Sequence, residues 1–279
     1  MHPAEAVHLR EWRAELHLGF ERRGARTVLS SRRHDGPLAV QKPLYPEGDG
    51  VCHAIVLHPP GGIAGGDELE IAVRAADRAH ALLTTPGAAK WYRSAGPWAS
   101  QSLTIAVGDG ACVEWLPQET IVFDGALAGM RTELRLAGTA RYIGWDILCL
   151  GRSGSGERFT HGECRPQTRL WRDDTLLRFE RGAIEGSGPL LDSPAGLGGA
   201  TVCGTLLASA EGLGAVLARC RELRPESGMG AVTLLPGVLV ARYLGGSSEA
   251  AKRYFAALWN VLRPAVAGRE AVEPRIWKT

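Results

Sequence analysis

Three stretches of this 279-residue chain open in the same way. Asp77-Arg78-Ala79-His80-Ala81-Leu82-Leu83, Asp109-Gly110-Ala111-Cys112-Val113-Glu114-Trp115 and Ala137-Gly138-Thr139-Ala140-Arg141-Tyr142-Ile143 each set a tight turn, a small residue and then an extended run. Their spacing is about thirty residues, the period of a stacked repeat architecture. A unit that short cannot bury its own apolar face, so successive turns must stack to close a core. The pattern points to a mainly β chain, a β-solenoid or β-helix-like stack of sheets. A β-sandwich with evenly spaced hairpins gives much the same pattern, and the repeat alone does not separate the two.

The rest of the first two-thirds agrees with a β reading. Short alternating or apolar runs at 14–20, 27–31, 51–57, 69–74, 81–85, 102–107, 112–116 and 141–150 are bounded by Gly, Asp or Pro. Two α-helices are expected near the C-terminus. One covers 205–223, with Leu206, Leu213, Val216, Leu217 and Cys220 near helical spacing and Pro225 as its stop. The other opens at Ser247-Ser248-Glu249, carries Ala251, Phe255, Leu258 and Leu262 on one stripe, and stops at Pro264. Two short strands around Pro236-Gly237 lie between them. The expected organisation is one domain over 1–279, β-rich over 1–204 and helix-containing over 205–279. The Gly-, Pro- and Ser-rich stretches 47–50 and 185–199 read as mobile, or as ordered by a partner.

Net charge is +2 with dispersed arginines, which gives no electrostatic case for nucleic acid or an anionic membrane. No apolar run approaches the ~20 residues of a membrane helix, and the polar start lacks a signal-peptide core, so a cytoplasmic location is expected. The six cysteines form no C-x-x-C pair and sit among apolar neighbours, as free buried thiols do.

The run His58-Pro-Pro-Gly-Gly-Ile-Ala-Gly-Gly-Asp67-Glu68-Leu69 bends the backbone tightly and delivers Asp67 to the start of a strand. It is no phosphate loop, since an alternating strand follows the glycines where a helix N-terminus and a Lys-Ser or Lys-Thr would be needed. Cys52, His53 and His58 hold ligand types suited to nickel or zinc, yet 53 and 58 fall on opposite faces of a strand. His161 lacks a G-x-S-x-G partner, so a His-Gly turn is the simpler reading than a hydrolase.

Glu114, Asp146 and Glu180 interrupt apolar runs. A carboxylate there is costly unless it is paired or faces water or an ion. With Asp67 and Glu119 they are the acids that can line a wet interior passage for a divalent cation. Alternation on a half-buried strand accounts equally well for Asp146 and better for Glu114 and Glu180. Lys90-Trp91-Tyr92-Arg93-Ser94 combines cations and aromatics, as interfaces do, and as a stacked surface strand also does.

In order along the chain, several segments resemble the UreD (UreH) family of urease accessory proteins. They are His58 to Leu69, Leu83-Thr-Thr-Pro-Gly-Ala-Ala-Lys-Trp-Tyr-Arg-Ser94, Glu114-Trp-Leu-Pro-Gln-Glu119 and Gly144-Trp-Asp-Ile-Leu-Cys-Leu-Gly-Arg152, then Gly156-Glu-Arg-Phe-Thr-His-Gly162, Leu176-Leu-Arg-Phe-Glu-Arg181 and Pro274-Arg-Ile-Trp277. The resemblance spans nearly the whole chain and is poorest over 185–199. It implies a β-solenoid-type fold with C-terminal helices and no catalysis. It implies binding to apo-urease and, with UreF and the GTPase UreG, support of nickel delivery, with nickel only transient and no tightly bound cofactor. Asp67 and Asp146, then Glu180, are the channel carboxylates it suggests, with Glu114 and Glu119 behind them. Trp91, Tyr92, Phe255, Trp259 and Trp277 are the expected partner contacts. The alternatives are a pure assembly scaffold that conducts no nickel, and a His161-dependent hydrolase.

Overall fold

The computed structural model describes residues 12–278. The chain starts with a hairpin, β1 (Arg13–Arg23) and β2 (Arg26–Asp35), and a short β3 (Ala39–Val40). It then shuttles between two sheets: β4 (Cys52–Leu57), β5 (Glu68–Ala75), β6 (His80–Thr84), β7 (Ala89–Trp91), β8 (Ala99–Val107), β9 (Cys112–Trp115), β10 (Thr120–Val122), β11 (Leu127–Leu136), β12 (Arg141–Leu150) and β13 (Glu163–Arg172). Strands β1, β5, β8, β11 and β13 lie parallel in one sheet; β4, β6, β9 and β12 lie parallel in the other. Each coil thus gives one strand to each sheet, and about four coils stack as a β-solenoid.

The solenoid resolves the choice that the repeat left open. Ala79, Ala111 and Ala140 are buried at successive turns. Cys112 N–H donates to the Ala79 carbonyl and Arg141 N–H to the Ala111 carbonyl, both at 2.9 Å. The Asp109 carboxylate accepts from Thr139 N–H at 2.8 Å, and Asp77 accepts from Asp109 N–H at 3.0 Å. The turns need positive φ, which Gly110 (66°) and Gly138 (51°) reach freely and Arg78 (59°) reaches at a cost.

After β13 the chain becomes antiparallel and closes the stack. β14 (Thr175–Arg181) and β15 (Ile184–Glu185) pair with β13, and α1 (Pro189–Asp192) follows. β16 (Val202–Ser209) pairs with β12 and, after α2 (Leu217–Glu222), β17 (Met229–Leu235) and β18 (Val238–Gly245) extend that sheet to ten strands. The other sheet has eight. Helix α3 (Ser248–Ala267) then lies against β12 and β16.

Three expectations are corrected. The span 205–223 is not one helix: its first part is β16, buried on both faces between β12 and β18, so its apolar run follows sheet burial rather than a helical stripe. Pro264 does not stop α3. The helix runs on to Ala267 because Val266 and Ala267 are buried, and Gly268, at φ 67°, ends it by donating to the Pro264 carbonyl. Stretch 185–199 is folded, with Leu197 N–H bonded to the Leu190 carbonyl and Gly199 N–H to that of Leu191. The Ser247 cap is as expected, its hydroxyl accepting from Ala250 N–H at 3.1 Å.

The two sheets enclose one apolar core, to which β5 contributes Leu69, Ile71 and Val73 and β12 contributes Tyr142, Leu148 and Leu150. A second core fills the space between the outer face of the ten-stranded sheet and α3, with Ile143, Trp145, Ile147, Phe255 and Leu258. Covered on both faces, β12 therefore reads as a nearly unbroken apolar run, whereas β5 alternates because its outer face meets solvent.

Candidate functional site

The inter-sheet core is not filled throughout. Two adjoining cavities of about 360 Å³ each lie within it and share Leu103, Thr132, Asp146 and Thr168 in their walls. The first extends past His58, Lys90 and Gln118. The second extends past Cys203 toward Arg178, Glu180 and Arg242.

Asp146 sits at the junction. The period of two on β12 sends Tyr142, Asp146, Leu148 and Leu150 inward, and Ile143, Trp145 and Ile147 toward α3. The carboxylate is exposed although protein surrounds it, because the surface it exposes faces the cavities. It forms no ion pair among the described residues, and burial raises its pKa to about 6.

Glu114 is the opposite case. On β9 it points toward α3 and is fully buried. Its oxygens accept from Trp259 Nε1 at 2.7 Å and from Arg263 Nε at 3.0 and 3.1 Å, and His80 Nε2 lies 2.7 Å away. Arg263 continues to both oxygens of Glu47 at 2.6 and 2.7 Å, and Glu47 pairs with His53 Nε2 at 2.6 Å. Burial opposes ionisation of Glu114, but the bond and charge of His80, with Arg263, overrule it and hold its pKa down at about 2. This network rivets α3 to the first coils. Glu114 is thus withdrawn from the passage, and His53 from any site with His58.

The other expected residues separate as well. Asp67 closes the glycine loop, its oxygens accepting from Ala64 N–H at 2.8 Å and Trp12 N–H at 3.3 Å. Gly61 (φ 74°) and Gly66 (φ 95°) make that bend, and a side chain at Gly62 would strike the Tyr92 ring. Asp67 borders neither cavity itself but acts on His58, whose pKa is lowered by burial against the pull of Asp67. Glu180 borders the second cavity, bonded to Arg178 and Arg242. Glu119 is half-buried outside both cavities. Cys52 is a buried thiol beside Tyr45. Among the described residues no three His, Cys, Asp or Glu side chains are grouped to hold a metal ion.

His161 has no triad geometry. A triad needs the nucleophile on one ring nitrogen and the carboxylate on the other. Here Thr160 Oγ1 (3.0 Å) and Asp124 Oδ2 (3.3 Å) both sit at Nδ1. Asp124 is a corner post that also accepts from Thr160 N–H, His161 N–H and Arg93. Of the expected partner contacts, Trp91, Phe255 and Trp259 are corrected to core residues, each at most 1% exposed. Trp277 is packed against Trp145 and Trp259, with Nε1 donating to Thr84 at 2.8 Å. Tyr92 is the most exposed of the five, at 38%. Residues the sequence did not single out, Glu47, His80, Arg178, Arg242 and Arg263, hold the network and the far end of the second cavity. The one available signal was Trp259 and Arg263, four apart inside the apolar stripe of α3.

No helix among the described residues is long and apolar enough to cross a membrane. The chain matches the family described as UreD urease accessory protein over residues 13–278. It is 58% identical to the urease accessory protein UreD of Dechloromonas aromatica (strain RCB), over 99% of this chain and 98% of that one. It is 59% identical to that of Azoarcus sp. (strain BH72), over 96% and 94%, and 52% identical to that of Nitrosococcus oceani, over 96% and 90%. These relatives carry the name of an accessory protein rather than an enzyme. With the family match spanning nearly every described residue, the chain belongs to the UreD family of urease accessory proteins, and its role is in urease maturation.

Proposed function

We propose that this chain works in the cytoplasm as a maturation factor that binds apo-urease and, with UreF and the GTPase UreG, supports nickel insertion, its interior passage serving as the nickel route. The observation that carries this reading is the pair of adjoining cavities with Asp146 at their junction. A conduit must bind its ion firmly enough to admit it and weakly enough to release it. Ni²⁺ held by a cluster of imidazoles and thiolates would stay. One unpaired carboxylate beside the hydroxyls of Thr132 and Thr168 offers a single exchangeable ligand and leaves the rest of the shell to water. With a pKa of about 6, Asp146 is mostly ionised at neutral pH.

The test uses cells carrying a urease operon without its own copy of this gene, complemented with the wild type or with Asp146→Ala. Nickel per urease and urease activity are both expected to fall with the variant, while the complex with apo-urease still co-purifies. Equal nickel content with the two chains would refute the conduit and leave the assembly scaffold.

A further inference from the structure

The far end of the second cavity carries more positive charge than a cation route requires. Arg178 and Arg242 border it beside the carboxylate of Glu180, and the same cavity carries Asp146 nearer the junction. Arg178 Nη2 donates to one Glu180 oxygen, and Arg242 Nη2 to the other at 2.6 Å. Arg242 Nη1 donates to Thr205 Oγ1 at 2.6 Å. The Arg178 side chain is 9% exposed, and its Nη1 is buried without a hydrogen-bond partner. Arg181, exposed at the end of β14, alternates with Arg178 and Glu180 and so lies on the outer face.

A buried charged donor without a partner is costly, and native proteins seldom leave one unexplained. The guanidinium fork matches the two oxygens of a carboxylate, and Glu180 shows that Arg178 and Arg242 accept one here. Against the single acid at this end, the guanidiniums of Arg178 and Arg242 leave one positive charge without a counterion.

We propose that this end of the cavity is a carboxylate-binding site in which Arg178 holds an incoming carboxylate beside the Glu180–Arg242 pair. The site does not require nickel to pass through the chain.

The carboxylate has two sources, a small free acid or a glutamate side chain of a partner. The metal-free full-length chain is titrated with acetate at constant chloride, with the peptide acetyl-Ala-Ala-Glu-Ala-Ala-amide, and with its Gln counterpart. Saturable binding of acetate points to a free acid, and binding of the Glu peptide without acetate or the Gln peptide points to a side chain. In either case Arg178→Gln should weaken binding about tenfold, the loss of one charge-assisted contact, while Arg181→Ala, on the outer face, should leave it unchanged. Glu180→Gln, which removes the competing acid, should tighten it. If Arg178→Gln does not fold, Glu180→Gln carries the test. No saturable binding of acetate or Glu peptide, or binding that Arg178→Gln and Glu180→Gln leave unchanged, overturns the site. Because no metal is present, either result stands apart from the Asp146→Ala nickel measurement.

Discussion

The two faces of the ten-stranded sheet treat a buried acid in opposite ways. On the face beneath α3, Glu114 has an indole, a guanidinium and an imidazole around it. On the face toward the cavities, Asp146, on the neighbouring strand, has no counter-charge among the described residues. Their pKa values part accordingly, about 2 against about 6. The acid that is fully satisfied serves the fold, and the acid left unsatisfied is the one free to meet something else. Conformity to the rule that buried charge is paired marks structure, and departure from it marks the functional candidate.

The sharpest way to break this comparison is to make the same chemical change on both faces. Glu114→Gln removes the negative centre of the network, strands His80 and leaves Arg263 with Glu47 as its one carboxylate. Losing one partner of a buried ion pair costs about 3–5 kcal/mol, which is a fall in Tm of about 5–9 °C for a chain this size. Asp146→Asn removes a charge that folding had to confine without a partner, so it should leave Tm unchanged or raise it. Thermal unfolding of both variants at pH 7 decides, and a large loss from Asp146→Asn would mean that its carboxylate has a structural partner after all.

The next prediction separates the two acids by pH. The folded pKa of Asp146, about 6, lies above its ordinary 3.8. Between those values the folded chain holds a proton that the unfolded chain has lost, so this residue's contribution to stability falls as pH rises from about 4 to 6. Asp146→Asn should therefore match the wild type near pH 4 and gain on it by pH 6, with no further change above. Glu114 has its pKa depressed, so its contribution is present above about 4.5 and is lost only as pH falls toward 2. Tm profiles of the two variants against the wild type should diverge in opposite directions over this range.

Much of this was legible in the sequence. The turn repeat carried the solenoid, since Ala79, Ala111 and Ala140 do stack, and the period of two on β12 placed Asp146 among apolar neighbours on both sides. The facing of Glu114 was not legible. Alternation offers only water or the core, and the residues that answer it lie 145 and 149 positions away on α3. Residues 205–209 went astray for a related reason. A strand buried on both faces has no period of its own, so scattered leucines imitate a helix. The cavities were beyond reach altogether, because a void depends on how two sheets fail to fill the space between them.

The smallest effect concerns His80, which joins the paired face to the first coils. Burial alone would lower its pKa, but Cys112 and Glu114 outweigh burial and raise it to about 10. A raised histidine contributes stability that is complete below its ordinary 6.5 and is lost as pH climbs through the folded value. His80→Gln keeps a donor toward Glu114 but not the charge. Its Tm should lie below the wild type at pH 6.5, and the gap should narrow steadily toward pH 10 as the wild-type imidazolium gives up its proton. Asp146→Asn, whose ionisable neighbours Tyr142 and Cys203 are pushed above this interval by burial, should hold a constant offset from the wild type over the same interval. A His80→Gln gap that stays constant to pH 10 would mean that Arg263 alone holds Glu114 ionised, and that the imidazole is a neutral hydrogen-bond partner rather than part of the charge lattice.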